Sequence, residues 1–385
     1  MAGDFPEAEY QRRINALQHK MEVARKCALL LTTPADIFYT TGFLTRFWES
    51  PARPWFVLVP ASGAPIAVIP AIGERLMAER WITDIRTWDA PNPGDDGIGL
   101  LSDTLKEIVP AGGHIGTPMG LETQLRMPLG DFRRLEDLLR DRAFVDATDV
   151  VQRVREVKSE AEIERLRTIC AITTKAFDRV PDIVRPAPRL DQVFRRFQAA
   201  LLEEGADWVS YTAGGASLGG YGDVISPAPP TPLRSGDVLM LDTGAVKDGY
   251  FSDFDRNFAI GEAAPDTIAA HEALWDATEH LLDTLRPGQL ASEAHALLSD
   301  TLLRRGYPPP SGRLGHGLGV TLTEWPSFTD RDHTTLVENM VLTIEPSVEI
   351  SPGRMLVHEE NIILRADGPE LLTRRAPREL PVITL

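Results

Sequence analysis

Five acidic and imidazole side chains in the second half of the sequence interrupt apolar, strand-like runs. Asp242 and Asp253 lie in V-L-M-L-D-T-G-A-V-K-D-G-Y-F-S-D-F-D-R-N-F-A-I-G, residues 238–261. His316 lies in G-H-G-L-G, Glu345 in T-I-E-P and Glu359 in V-H-E-E-N. The first stretch alternates apolar and polar residues around Lys247-Asp248-Gly249, the pattern of an antiparallel hairpin. A turn centred on Lys247-Asp248 opposes Asp242 to Asp253. One centred on Asp248-Gly249 opposes Asp242 to Asp255, with Asp253 two places along the strand. Either register puts the carboxylates on one face, because side chains alternate with period two. Like charges so placed repel and raise one another's pKa, and a divalent cation removes the conflict.

The other three residues extend the set. Glycines around His316 let backbone come close, a setting that suits a ligand histidine. Each residue alone has a plainer explanation, a solvated face for the carboxylates or a satisfied polar contact for the imidazole. Together Asp242, Asp253, His316, Glu345 and Glu359 offer many oxygens and one nitrogen. That donor set suits two divalent ions such as Mn, Fe, Co or Zn.

The elements that must position these groups follow from periodicity. Helical patterns occur at residues 10–25, 73–80, 99–108 and 131–139, with strands at 27–31, 85–88 and 114–116 and a hairpin over 54–70, which predicts an α/β layer structure. Residues 46–55, R-F-W-E-S-P-A-R-P-W, form an aromatic and arginine-rich loop. It either covers the domain edge or contacts substrate, and for the second role Trp48 and Arg53 are the candidates. A domain boundary falls near 151–158, giving domains 1–153 and 154–385. Ser159 and Glu162 then have capping-box spacing ahead of a helix with Ile163, Leu166, Cys170 and Phe177 on its buried stripe. A helix over 190–204 follows. Residues 214–232, rich in Gly, Pro and Ser, are expected to be a loop leading into the hairpin. Helices over 265–285 and 292–305 precede a strand-rich last hundred residues.

At 385 residues the chain can bury two cores, and 43% apolar with 25% charged residues is ordinary for a globular protein. A formal charge of −16 argues against nucleic acid and anionic membrane as partners. Cys27 and Cys170 each sit in an apolar run, no long apolar segment or signal peptide is visible, and a cytoplasmic protein is expected.

Order, spacing and context of L-D-T-G, D-G-Y-F-S-D, G-H-G-L-G, T-I-E-P and E-E-N resemble the metallopeptidase family of methionine aminopeptidase, prolidase, Xaa-Pro aminopeptidase and creatinase. V-K-S-E-A-E-I-E-R-L-R looks like the junction of its Xaa-Pro peptidase branch. The resemblance implies an α+β fold, a pita-bread catalytic domain preceded by a creatinase-like α/β domain. It also implies a homodimer and a binuclear site on Asp242, Asp253, His316, Glu345 and Glu359. Glu345 is then the expected proton acceptor, and Trp325 of T-E-W-P joins Trp48 and Arg53 as a candidate substrate contact.

The departures bear on substrate. Family peptidases carry a histidine in the loop before the hairpin, yet none lies between His114 and His271; another is usual where Thr323 stands. Val357 replaces an arginine and Asp255 a threonine. These features imply a hydrolase that cuts a carbon-nitrogen bond in a small amino-acid-like or Xaa-Pro-like substrate. A dimethylsulfoniopropionate lyase on the same fold, which shares E-W-P, and a non-catalytic binding module are the rival readings.

Overall fold

A computed structural model describes residues 5–49, 53–185, 189–308 and 312–385. The chain divides into two compact units, Met1–Arg155 and Glu156–Leu385.

The first unit runs α1 (Glu7–Val23), β1 (Ala28–Leu31), α2 (Pro34–Thr41), β2 (Phe56–Pro60), β3 (Ile66–Pro70), α3 (Glu74–Ala78), β4 (Asp84–Trp88), α4 (Ile98–Ile108), β5 (His114–Thr117), α5 (Leu129–Leu138), β6 (Ala143–Asp146) and α6 (Thr148–Arg155). Its sheet has the order β4-β3-β2-β1-β5-β6. The central strands β1, β2 and β3 are apolar runs buried almost throughout, packed with Leu101 and Leu105 of α4. Each such side chain contributes about 1.5–3 kcal/mol by leaving water. Helix α2 has no counterpart in the sequence reading, because I-F-Y-T-T is poor helix-forming sequence. Its ends hold it: Thr33 Oγ1 accepts from the Asp36 amide at 3.2 Å, Pro34 opens the first turn, and Gly42 closes it at φ 76°.

The second unit begins with α7 (Glu160–Asp178), α8 (Val180–Val184) and α9 (Leu190–Glu203), then β7 (Trp208–Leu218), β8 (Asp237–Lys247), β9 (Tyr250–Phe251) and β10 (Phe254–Ile260). It continues with α10 (Pro265–Thr284), α11 (Ala291–Arg304), β11 (Gly315–Gly317), β12 (Glu324–Ser327), β13 (Val341–Ile344), β14 (Ser347–Ser351), β15 (Arg354–Val357), β16 (Glu360–Arg365), β17 (Gly368–Leu371) and β18 (Val382–Ile383). One sheet has the order β18-β10-β8-β7 with β9 beside β8, and another the order β12-β11-β13-β16-β17. The capping box at α7 is present: Ser159 Oγ accepts from the Glu162 amide at 3.2 Å, and the Ser159 amide donates to Glu162 at 3.0 Å. Ile163, Leu166, Cys170 and Phe177 are buried along it.

Strand β8 is buried on both faces. Leu239, Leu241 and Ala245 join the core under α7 and α9, while Val238 and Met240 join the core under α10 and α11. Asp242 continues the second row. Lys247 pairs with Tyr250, and the turn residues Asp248 and Gly249 take φ 49° and 82°, so the hairpin turns at Asp248-Gly249 and Asp242 pairs with Asp255.

The expected loop at 214–232 is a correction: residues 214–218 belong to β7, paired with β8. Gly214 is there because a Cβ would stand 2.2 Å from the Met240 carbonyl oxygen, so it marks two backbones in close approach. Among the described residues no helix is long and apolar enough to cross a membrane.

Candidate metal centre and active site

Two sheets deliver the five candidates. Asp242 sits on β8, and Asp253 lies between β9 and β10, where the ladder is interrupted. His316 is on β11, Glu345 directly follows β13, and Glu359 directly precedes β16. Since β11, β13 and β16 are neighbours, these three come from adjacent strands. Asn361 of β16 substitutes for a strand partner at the interruption: its Oδ1 accepts from the Asp253 amide at 3.1 Å and its Nδ2 donates to the Asp253 carbonyl. The glycines beside His316 are required sterically. A Cβ on Gly317 would stand 2.1 Å from the Trp325 carbonyl oxygen, and one on Gly315 would stand 2.5 Å from that of Thr343.

Carboxylate oxygens of Asp242, Asp253 and Glu359 all lie within 4.8 Å of one another, and all three residues are buried. His316 Nε2 is 3.1 Å from Asp253 Oδ2 and 3.7 Å from Glu345 Oε2. The structure therefore brings together all five residues proposed from sequence. Glu345 differs from the others in reaching solvent, with 19% of its side chain exposed.

Protons are short in this cluster. The Tyr211 hydroxyl lies 2.8 Å from Asp242 Oδ2 and 2.8 Å from Asp253 Oδ1, but it has one hydrogen to donate. Asp242 Oδ1 and Glu359 Oε2 are buried with no hydrogen-bond partner. Burial, then the neighbouring Asp253 charge, pushes Asp242 well above the usual carboxylate range. Burial, then Asp242 and Asp253, does the same to Glu359. Burial also raises Glu345, against the pull of His316 and Arg313. Burial opposes a charged His316, yet Asp253 and Glu345 together hold its pKa above the ordinary value.

These observations fit a metal. Nδ1 of His316 donates to the Gly317 carbonyl at 2.8 Å, which leaves Nε2 to hold either a proton or a cation against Asp253. A divalent ion exchanged for that proton satisfies the bare oxygens and relieves the repulsion.

Four contributing residues were not singled out from sequence. Tyr211 and Asn361 are described above. Arg313 donates from Nε to Glu345 Oε1 at 3.1 Å and from Nη2 to Thr323 Oγ1 at 3.2 Å. Lys158 forms a buried 2.9 Å ion pair with Glu324, whose other oxygen accepts from the Val320 amide at 3.0 Å. Asn361 is the last letter of E-E-N and Lys158 the second of V-K-S-E-A-E-I-E-R-L-R, whereas Tyr211 and Arg313 carried no such signal. Of the substrate-contact candidates, Trp325 is on β12, directly beside the strand of His316. Trp48 and Arg53 belong to the first unit. There the Trp48 ring packs at 6.0 Å from Phe43 and 5.3 Å from Trp55, under the Arg126 guanidinium. Arg53 gives its carbonyl to Arg126 at 3.3 Å, and residues 50–52 of that loop lie outside the described residues.

Residues 164–366 match the metallopeptidase family M24, and residues 13–157 match the creatinase/prolidase N-terminal domain. The chain belongs to metallopeptidase family M24. It is 28% identical over 383 residues to a probable dipeptidase, PepE, of Mycobacterium tuberculosis, covering 98% of each chain. The crystal structure of dipeptidase PepE from Mycobacterium ulcerans superposes with a TM-score of 0.85 at 28% identity, covering 99% of this chain and 100% of that one. An Xaa-Pro dipeptidase of Pyrococcus horikoshii is 27% identical over 265 residues, 68% of this chain and 74% of that one. The expected fold class holds: a creatinase-like α/β unit and an M24 α+β pita-bread unit. As an M24 member the protein is a metal-dependent hydrolase of the peptidase type.

Proposed function

We propose that this M24 enzyme hydrolyses the amide bond of a small, dipeptide-like substrate, with two divalent ions held by Asp242, Asp253, His316, Glu345 and Glu359. The observation that carries the reading is the pair of buried, partnerless oxygens, Asp242 Oδ1 and Glu359 Oε2, in a cluster that a cation completes. Ions held there supply Lewis acidity toward the scissile carbonyl and make water nucleophilic near neutral pH.

The chain's own groups do the rest. Glu345, the member of the set that reaches solvent, accepts the proton lost by the attacking water and passes it to the leaving amine. Arg313 fixes Oε1 of Glu345, so the carboxylate keeps one orientation while Oε2 faces His316. His316 keeps Nε2 toward Asp253 because its Nδ1 is tied to the Gly317 carbonyl. Trp325 beside His316 is the proposed apolar wall for the substrate side chain. For Trp48 the ring packing around Arg126 supports a role in covering the domain edge.

A dipeptide substrate is supported by the dipeptidase relatives that span nearly the whole chain. Where a histidine would donate to the substrate, Thr323 presents an Oγ1 that accepts from Arg313. Losing a positioned acid or base costs about 10²- to 10⁴-fold. Xaa-Pro dipeptides are therefore expected to be poor substrates, turned over at least about 100-fold more slowly than by a family peptidase that carries both histidines.

The test is a panel assay of Mn-loaded protein on Xaa-Pro peptides, other dipeptides, small amides and dimethylsulfoniopropionate. Chelator-sensitive hydrolysis of non-proline dipeptides is expected. Acrylate release without amide hydrolysis would overturn the reading in favour of a lyase, and no turnover of any substrate would favour a binding module.

A further inference from the structure

Glu359 is aimed by its backbone. Among the described residues nothing donates to its Oε2. Its amide donates to Asp255 Oδ1 at 2.7 Å, and its carbonyl accepts from Arg256 Nη1 at 2.8 Å. The direction of the carboxylate therefore follows the peptide units on either side, and the neighbours that fix those units are His358 and Glu360. Both are buried.

One guanidinium nitrogen holds both neighbours. Arg375 Nη1 lies 2.5 Å from His358 Nε2 and 3.2 Å from Glu360 Oε1. It has two hydrogens and no acceptor capacity, so it serves each neighbour with one, and a neutral His358 accepts at Nε2. The rest of the guanidinium is tied to α10. Nε donates to Glu279 Oε2 at 3.3 Å, Nη2 donates to the Trp275 carbonyl at 3.0 Å, and Cζ lies 4.7 Å from the centre of the Trp275 ring. Arg375 is thus a strut between α10 and the start of β16.

The segment around Arg375 completes the grip on Glu360. The Thr373 hydroxyl donates to Oε2 and the Ala376 amide to Oε1 at 2.8 Å, while Arg256 Nη2 donates to Oε2 at 3.0 Å. Three of the four donors to this carboxylate therefore come from residues 373–376.

We propose that Arg375 is a positioning residue for the metal centre: by holding His358 and Glu360 it sets the direction of the Glu359 carboxylate and hence the affinity for divalent metal. The inference rests on the reading of Glu359 as a metal ligand. Groups that orient a ligand from outside the ion's own shell are typically worth about 10- to 100-fold in metal affinity. Arg375 acts through neighbouring peptide units, which places it at the lower end of that range.

The test is Mn binding to the full chain by competition with a chelator at pH 7. Arg375→Met should bind Mn about tenfold more weakly. Arg375→Lys, which keeps a cation that can donate to the same neighbours, should lose only about threefold, and so should Thr373→Val, which removes one donor to Glu360. Arg378→Ala is the control. Arg378 lies over the same Trp275 ring at 5.7 Å and pairs with Asp276 at 3.3 Å, and among the described residues it donates to neither neighbour of Glu359. Its loss should leave Mn affinity unchanged. A merely structural Arg375 would lower thermal stability and leave the Mn affinity of the folded chain unmoved. Wild-type affinity in Arg375→Met, or an equal loss in Arg378→Ala, overturns this inference while the metal reading stands. A wild-type chain that binds no Mn overturns both. If Arg375→Met fails to fold, Arg375→Lys and Thr373→Val decide, and wild-type affinity in both overturns the proposal.

Discussion

Replacing Tyr211 by Phe removes one oxygen and no packing volume to speak of. The hydroxyl lies 2.8 Å from both Asp242 Oδ2 and Asp253 Oδ1, yet its single proton makes one full donation to a carboxylate. Such a charge-assisted bond is worth about 1.5–3 kcal/mol. If these carboxylates hold metal, Tyr211 orients them from outside the ion's own shell, and losing such a partner typically lowers metal affinity about 10- to 100-fold. The two figures agree, since 1.4 kcal/mol is about tenfold. The assay is Mn binding by competition with a chelator at pH 7 on the full chain. Tyr250→Phe is the control: it removes a buried hydroxyl that donates to Glu162 at 3.0 Å, away from the cluster. Tyr250→Phe should lower thermal stability and leave Mn affinity alone. Wild-type Mn affinity in Tyr211→Phe, or an equal loss in Tyr250→Phe, would refute the reasoning.

Lys158→Met strands the Glu324 carboxylate in the interior, where both partners are 1% exposed, and should cost about 3–5 kcal/mol in chemical denaturation; adding Glu324→Gln should return part of it, and an additive loss would contradict the pairing. The metal-free protein should lose stability as pH rises from about 7 to about 8. Burial pushes Asp255 up to about 8, so through this window it holds a proton in the folded chain that the unfolded chain has already released. His271 and His358, which burial drives below the usual histidine value, are neutral in the folded chain and about half protonated in the unfolded chain near pH 6.5, so they offset the slope at that end and cease to do so as pH rises above about 7. Urea unfolding at several pH values should show a fall of about 1 kcal/mol or more per pH unit; a flat or rising profile would contradict it.

The site was more legible than the fold around it. Asp242, Asp253, His316, Glu345 and Glu359 were visible because a carboxylate or imidazole inside an apolar strand is chemically conspicuous. The hairpin register stayed open, since both turns placed the acids on one face; the left-handed Asp248-Gly249 turn decided it. Gly214 and Gly215 misled because composition does not distinguish a loop glycine from one that lets β7 approach β8. Helix α2 rests on its Thr33 and Gly42 ends and on burial, which an alternation pattern does not reveal. Tyr211 and Arg313 reach the cluster from residues distant in sequence, so no local pattern could announce them.

The central claim is that the five residues hold divalent metal. Equilibrium dialysis of the full chain against Mn, followed by elemental analysis of wild type beside Asp253→Ala, tests it directly. The account predicts up to two ions per chain in the wild type and loss of most of them in the variant. A wild-type chain with no stoichiometric metal, or an Asp253→Ala chain that binds as the wild type does, would contradict it.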